Sequence, residues 1–311
     1  MNGNGMAQPK SLIVGASGQV GTQMLSLLGP QKALATSRVA RDGWLQLDLA
    51  ELSLYDKTIA ILDPYQLDAI YCIGGITNVD GCESEPDLAH RTNARGPGVL
   101  AAYARTRNLP FVYFSTEYLF DGSRDNAGPY PEDAQPHPLN IYGQSKLAGE
   151  HEVLSAHPDA LVLRTTVVYG ADPRQKNYIY ALMRNLSSGI TMRVPEDQVS
   201  TPTYNRDLVR ATLGLVEAKA SGIFHVCGPE LMGRLDFARQ VAATLGLDGT
   251  LLQGVSTQTL NQPASRPLAA GLATSKLTTS YPKLRMRSLA ESLQDCHEEL
   301  QQFLEGKLVR N

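Results

Sequence analysis

The sequence has no cysteine pair at Cys-x-x-Cys spacing: Cys72, Cys82, Cys227 and Cys296 all stand alone. That excludes a redox dithiol or a thiolate zinc site and leaves ordinary thiols of a reducing compartment. The six histidines fall at no metal-ligand spacing, so no metal is expected. There is no excess of positive charge, with 28 Lys and Arg against 31 Asp and Glu. A nucleic-acid footprint is therefore excluded. No apolar run approaches the ~18 residues of a membrane span. The polar, Gly-rich start, Met1 to Lys10, lacks the hydrophobic core of a signal segment and reads as a disordered tail. Internal repeats and low-complexity segments are missing too. A cytoplasmic protein without metal, membrane or nucleic-acid partner is the expectation.

What is present is enough apolar material, 42% of 311 residues, for one large domain or two closely associated ones. Strand and helix patterns alternate through the first half. Ser11-Leu12-Ile13-Val14 reads as a buried strand, and a helix is expected over 22–28. Further strands are expected over 32–36, 44–47, 68–73, 111–114 and 160–164. Helices are expected over 52–63 and 88–107, and another after Gln144. Such alternation predicts an α/β fold with a doubly wound parallel sheet of Rossmann type. Residues 11–170 would form it. Beyond Gly170 the rhythm is less regular, with loops over 172–176 and 195–202. Helices follow over 178–186, 205–219, 235–245 and 289–304. Residues 171–311 are expected to form mainly a smaller substrate-binding lobe, with about 203–228 returning to the larger sheet.

Between the first strand and helix stands Gly15-Ala16-Ser17-Gly18-Gln19-Val20-Gly21. Strand, Gly-rich turn and helix are the context of a dinucleotide fingerprint. Gly15 and Gly18 would let backbone approach a pyrophosphate. Ser17, Gln19 and Val20 line the same turn, and Gly21 would let the helix pack on the strand. The competing reading is a tight turn without a ligand. About twenty residues on, NAD-binding chains place a carboxylate on the ribose. Here Arg38 stands instead, and a guanidinium suits the 2′-phosphate of NADP(H). Asp48 and Leu49 end a strand where the adenine would lie, and Gly74 closes the next one.

Two further stretches carry chemistry. Thr116 sits at the carboxyl end of the fifth strand, where ligands bind in open parallel sheets. It would either donate to a substrate oxygen or simply cap the next turn. Tyr142 and Lys146 are one helical turn apart on one face. A phenol beside an ammonium suits protonation of a carbonyl oxygen, the charge drawing the phenol's pKa down.

Taken together these residues resemble the extended short-chain dehydrogenase/reductase family, and within it the dTDP-4-dehydrorhamnose reductases. The resemblance runs from about Ser11 to the C-terminal helix, nearly the whole chain, and is carried by residues 77–86, 115–122, 138–143 and 163–170, by Asp197-Gln198 with Pro202-Thr203, and by Arg266-Pro267 followed by 272–277. It implies an NADP-dependent oxidoreductase acting on CH–OH, reducing the 4-keto group of a nucleotide-linked deoxy sugar, as in dTDP-rhamnose biosynthesis. Tyr142 would be the proton donor and Thr116 a hydrogen-bond donor to the carbonyl. Lys146 would tune Tyr142 and hold the nicotinamide ribose. Thr77, Val79 and Tyr118 would line the sugar pocket, and Asn177 and Arg266 would meet the nucleotide. A homodimer is the assembly it allows. Val167 stands where rhamnose-pathway enzymes usually carry a Trp facing the sugar, and Glu117 where Asp is usual. The same family also holds the non-catalytic, NADP-binding regulatory β subunit of methionine adenosyltransferase, a second reading.

Arg38 gives a direct test. A charge-assisted contact to phosphate contributes roughly 1.5–3 kcal/mol, so NADPH should bind at least about tenfold tighter than NADH. Fluorescence titration of both cofactors checks this. Arg38→Ala should lose the preference, and equal affinities in the parent would contradict it.

Overall fold

The structure, a computed structural model, describes residues 10–52 and 55–304. Strands come in chain order as β1 (Lys10–Val14), β2 (Ala33–Ser37), β3 (Leu45–Gln46), β4 (Leu67–Cys72), β5 (Phe111–Thr116) and β6 (Leu161–Thr165). Then follow β7 (Val168–Tyr169), β8 (Met192–Pro195), β9 (Val199–Ser200), β10 (Thr203–Tyr204), β11 (Gly222–His225), β12 (Met232–Gly233) and β13 (Leu252–Val255). Seven of them form one parallel sheet in the order β11-β6-β5-β4-β1-β2-β3. All six positions of β5 are buried, because helices cover both faces of the sheet. The register sets Val14 beside Cys72 and Thr116 beside Thr165. The carboxyl ends of the central strands therefore meet along one edge.

The helices are α1 (Gln19–Leu28), α2 (Tyr55–Leu62), α3 (Val79–Ser84), α4 (Pro86–His90), α5 (Gly96–Thr106) and α6 (Ile141–Ala156). After them come α7 (Tyr178–Ser187), α8 (Asn205–Glu217), α9 (Arg234–Thr244), α10 (Ser275–Ser280) and α11 (Leu289–Leu304). On one face Val20 and Met24 of α1 and Leu208 and Leu215 of α8 pack with Ile13, Val112 and Leu163. On the other, Leu62, Leu100 and Val153 pack with Leu12, Ile70 and Tyr113. A third core joins α7, α9 and α11 through Ile179, Phe237 and Leu293.

The doubly wound parallel sheet agrees with the sequence pattern, while several boundaries move. Met1 to Pro9 of the expected tail lie outside the described residues, and Lys10 already belongs to β1, its N–H donating to the Gln66 carbonyl at 2.9 Å. The helix expected over 88–107 begins at Pro86 and carries a π turn at Arg91–Arg95. Pro97 has no N–H to offer the Asn93 carbonyl, and the Tyr113 hydroxyl donates to it instead, at 2.5 Å. Gly222–His225 rejoins the large sheet beside β6. The loop expected over 195–202 contains β9, paired antiparallel with β12. Two-residue strands are too short to show alternation.

Helix α6 is pressed onto this frame at Gly149. A Cβ there would overlap the Tyr113 hydroxyl and the Asn93 carbonyl oxygen. Tyr113 is fully buried and cannot retreat. Gly149→Ala should cost about 1–3 kcal/mol and lower the melting temperature by several degrees, roughly 2–4 °C per kcal/mol. Thermal unfolding measures it, and an unchanged melting temperature would mean that α6 can shift freely.

Candidate active site

The cofactor end is built from backbone contacts. Gly15 takes φ +84, and a Cβ on it would stand 2.5 Å from the Gly74 Cα. The Gly74 N–H donates to the Val14 carbonyl at 2.8 Å, and Leu49 Cδ1 lies 3.4 Å from where a Gly74 Cβ would be. Gly15, Gly74 and Leu49 thus share one floor. Gly18 is the N-cap of α1 and has no side chain to satisfy the first-turn N–H groups of Gln19, Val20 and Gly21. Those donors and the positive helix end fit a pyrophosphate, with half-buried Ser17 beside them. Arg38 follows β2 directly and is exposed. Asp48 caps the short turn Leu49–Glu51, its Oδ1 accepting the Ala50 N–H at 3.0 Å.

The chemical end lies at the start of α6. Asn140 caps that helix through Oδ1 to the Gly143 N–H at 2.8 Å. Gly143 lets the helix press on the Tyr118 carbonyl, where any Cβ would overlap. The rings of Tyr142 and Tyr118 meet edge to face, centroids 5.5 Å apart. Thr116 is buried at the end of β5, and its Oγ1 accepts the Tyr118 N–H at 3.2 Å. The capping role that the sequence allowed is therefore filled, while the same hydroxyl acts on Tyr142. One turn on, the buried Lys146 holds its Nζ 4.0 Å from the centroid of the Tyr113 ring.

These surroundings correct one expectation. Burial pushes the Tyr142 phenol well above its ordinary value, against a smaller opposing effect of Thr116. The Lys146 ammonium, held over the Tyr113 ring, does not outweigh that burial. Burial instead lowers Lys146 itself to about 8, with Cys72 and Glu150 pulling the other way.

The sequence pattern of the RmlD substrate binding domain matches residues 10–302. The chain belongs to that family. It is 35% identical over 293 residues to a dTDP-4-dehydrorhamnose reductase of Mycolicibacterium smegmatis, spanning 93% of this chain and 85% of that one. A probable low-salt glycan biosynthesis reductase of Haloferax volcanii is 34% identical over 263 residues, 83% of this chain and 87% of its own. Among solved structures, a dTDP-4-dehydrorhamnose reductase of Bacillus anthracis in complex with NADP superposes with a TM-score of 0.84 at 27% identity. The match covers 94% of this chain and 99% of that one.

In this RmlD-type chain the residues expected around the sugar gather unevenly. Tyr118 is half-buried beside Tyr142, Val79 opens α3 and Thr77 is exposed before it. Arg266 is buried to 8% exposure and donates to Asp80 Oδ2 and to the Ala264 carbonyl, both at 2.9 Å. Asn177, expected at the nucleotide of the substrate, lies against the Gly15–Gly21 turn through Gln19. Its Nδ2 donates to Gln19 Oε1 and the Gly170 carbonyl, both at 2.8 Å, and its Oδ1 caps α7. Val167 holds φ +38, a strained value for a β-branched residue, between β6 and β7.

Arg234 escaped the sequence reading, and the burial of Glu117 did too. Arg234 lies 4.5 Å over the Tyr178 ring, and its charge reaches Glu117 and Tyr118. No local spacing points to it, because it comes from the second half of the chain. Glu117 is buried next to Thr116, its Oε2 accepting the Gly271 N–H at 3.1 Å. Its place after a strand-end threonine was the available signal.

Burial raises Glu117 from 4.5 to about 7, more than the Gly271 hydrogen bond and the Arg234 charge lower it. Between those values the folded chain holds a proton that the unfolded chain has released. Glu117 therefore contributes stability that is full below about 4.5 and lost as pH rises through about 7. Glu117→Gln should flatten the fall in melting temperature between about pH 5 and about pH 8. Parallel curves for parent and variant would mean that Glu117 stays ionised in the fold.

Proposed function

We propose that this chain is an NADPH-dependent reductase of the 4-keto group of a nucleotide-linked 6-deoxy sugar, the activity named for its relatives. The observation that carries the proposal is the meeting of Thr116, Tyr142 and Lys146 at one strand edge, opposite the Gly15–Gly21 turn, in a member of this family. The relatives at 34–35% identity are named reductases, which favours turnover over the regulatory-subunit reading. We assign the cofactor to residues 11–170 and the sugar mainly to 171–311, with 203–228 returning to the first part. We place the chain in the cytoplasm, a reading that its four free, buried thiols support.

NADPH, held by Gly15, Ser17, Gly18, Gln19, Val20, Gly21, Arg38, Asp48, Leu49 and Gly74, supplies the hydride when bound. The residues of the chain manage the oxygen. As the carbonyl carbon gains the hydride, negative charge grows on the oxygen. The Thr116 hydroxyl donates to that oxygen. Tyr142 gives it a proton, and the product is the alcohol. The raised pKa keeps the proton on Tyr142 at neutral pH, where the acid is needed. An alkoxide is more basic than a phenolate, so the transfer is favourable. The nearby Lys146 ammonium steadies the phenolate that is left and holds the ribose. Thr77, Val79 and Tyr118 border the sugar, and Arg266, braced by Asp80, faces the nucleotide.

Tyr142→Phe keeps the ring against Tyr118 and removes the proton. General acid catalysis is worth ~10²–10⁴-fold, so kcat should fall by about that factor while NADPH binding stays within a few-fold. Steady-state rates with a nucleotide-linked 4-keto-6-deoxy sugar, and cofactor titration beside them, provide the check. A variant within a few-fold of the parent in kcat would take Tyr142 out of the mechanism.

A further inference from the structure

We propose that Arg174 is a second anchor for the cofactor, clamping its pyrophosphate from above the glycine turn. The inference rests on reading Gly15–Gly21 as the dinucleotide cradle. After β7 the chain crosses over that turn as a loop, residues 170–177, and the loop is tied down at several points. Gln19 Nε2 donates to the Val168 carbonyl at 3.1 Å, and Asn177 Nδ2 donates back to Gln19 Oε1 at 2.8 Å. Asn205 Nδ2 holds the Ala171 carbonyl at 2.9 Å.

Within the loop, Asp172 is buried and acts as its pin. Its carboxylate accepts the N–H groups of Arg174 and Lys176 at 3.1 and 3.3 Å, and also Arg174 Nε at 3.3 Å. Fixing Nε turns the far side of the guanidinium toward α1. Arg174 Nη2 stands 3.7 Å from where a Cβ of Gly18 would be. A cation is thus held over the N-terminus of α1, the positive end of the helix dipole. Asp172 pairs with this cation from the Nε side at 3.3 Å, which leaves the Nη2 side facing the positive helix end. An anion between them satisfies both, and a pyrophosphate has the oxygens to take the guanidinium and the helix N–H groups at once.

The pyrophosphate is common to NADPH and NADH, whereas the 2′-phosphate belongs to NADPH alone, so the two cofactors separate the possible contacts. Fluorescence titrations on the full-length chain, parent and variants, give the answer. Arg174→Ala should weaken NADPH and NADH by a similar factor, about tenfold or more. The loss should shrink as salt is raised. Arg174→Glu should weaken both further, because charge rather than side-chain bulk is at stake. Arg38→Ala, in contrast, should weaken NADPH only. Parent-like affinity in Arg174→Ala overturns the clamp. A loss confined to NADPH overturns the pyrophosphate assignment, and equal losses in Arg174→Ala and Arg174→Glu overturn its electrostatic basis. A parent chain that binds neither cofactor overturns the cradle reading, and the inference with it.

Discussion

Helix α6 lies so close to β5 and to the helical run before it that its inner face has almost no room for side chains. Gly143 meets the Tyr118 carbonyl, Gly149 meets Tyr113, and Ser145 accepts from the Asn93 side-chain amide at 3.0 Å. The Asn93 side chain also pairs with both backbone groups of Ile76, at 2.8 and 3.1 Å. One buried asparagine therefore joins the loop after β4 to α6. Because the helix sits this deep, Lys146 must be buried with it, and the Tyr113 ring face offsets part of the cost of desolvating its charge. Behind it, Glu150 and Arg164 form a bidentate pair at 2.9 and 2.7 Å, with side chains only 2% and 3% exposed. Removing either partner would leave an uncompensated buried charge.

A segment of the second half, residues 264–272, is tied to this centre by hydrogen bonds. The Ser265 carbonyl accepts from Asn140, the cap of α6, at 2.7 Å. Arg266 closes on Asp80 of α3, and the Ala269 N–H donates to the Gly122 carbonyl at 2.8 Å. Gly271 donates to Glu117 and accepts from the Tyr130 N–H. The side of the cleft assigned to the sugar is thus tied to the residues around Thr116 and Tyr142 by backbone hydrogen bonds and one ion pair. With the proposed roles, a change in this strap would be felt both at the sugar side and at Tyr142. The strained Val167 stands where β6 leaves the sheet and its carbonyl accepts the Thr203 N–H at 3.2 Å, so its conformation is held by β10.

Where a feature is made by neighbouring residues, it was legible in the chain. The Gly15–Gly21 turn, the Tyr142–Lys146 spacing and Thr116 at a strand end are local patterns. The alternation of strand and helix set the doubly wound sheet. The small strands β8 and β13 went unseen, since each has four residues and pairs with a partner about sixty positions away. Helix α6 has no single apolar stripe, and its buried positions include Ser145, Lys146 and Glu150. The surroundings of Asn177 were not legible, since its place depends on how the 170–177 loop crosses the glycine turn. The pKa of Tyr142 was expected low from the nearby charge and is high from burial. Proximity is visible in sequence, whereas desolvation depends on what packs around the group.

By itself the sequence determined the fold class, the glycine turn at the end of β1 and the one-turn spacing of Tyr142 and Lys146. Each arises from backbone freedom or helical periodicity within a few residues. Only the tertiary structure decided that Lys146 is buried over Tyr113, that Glu117 is sealed beside Thr116, and that Arg266 is braced by Asp80. It alone brought Arg174 over Gly18. Those contacts join residues from distant parts of the chain, and their electrostatics depend on depth and packing, which no local pattern encodes.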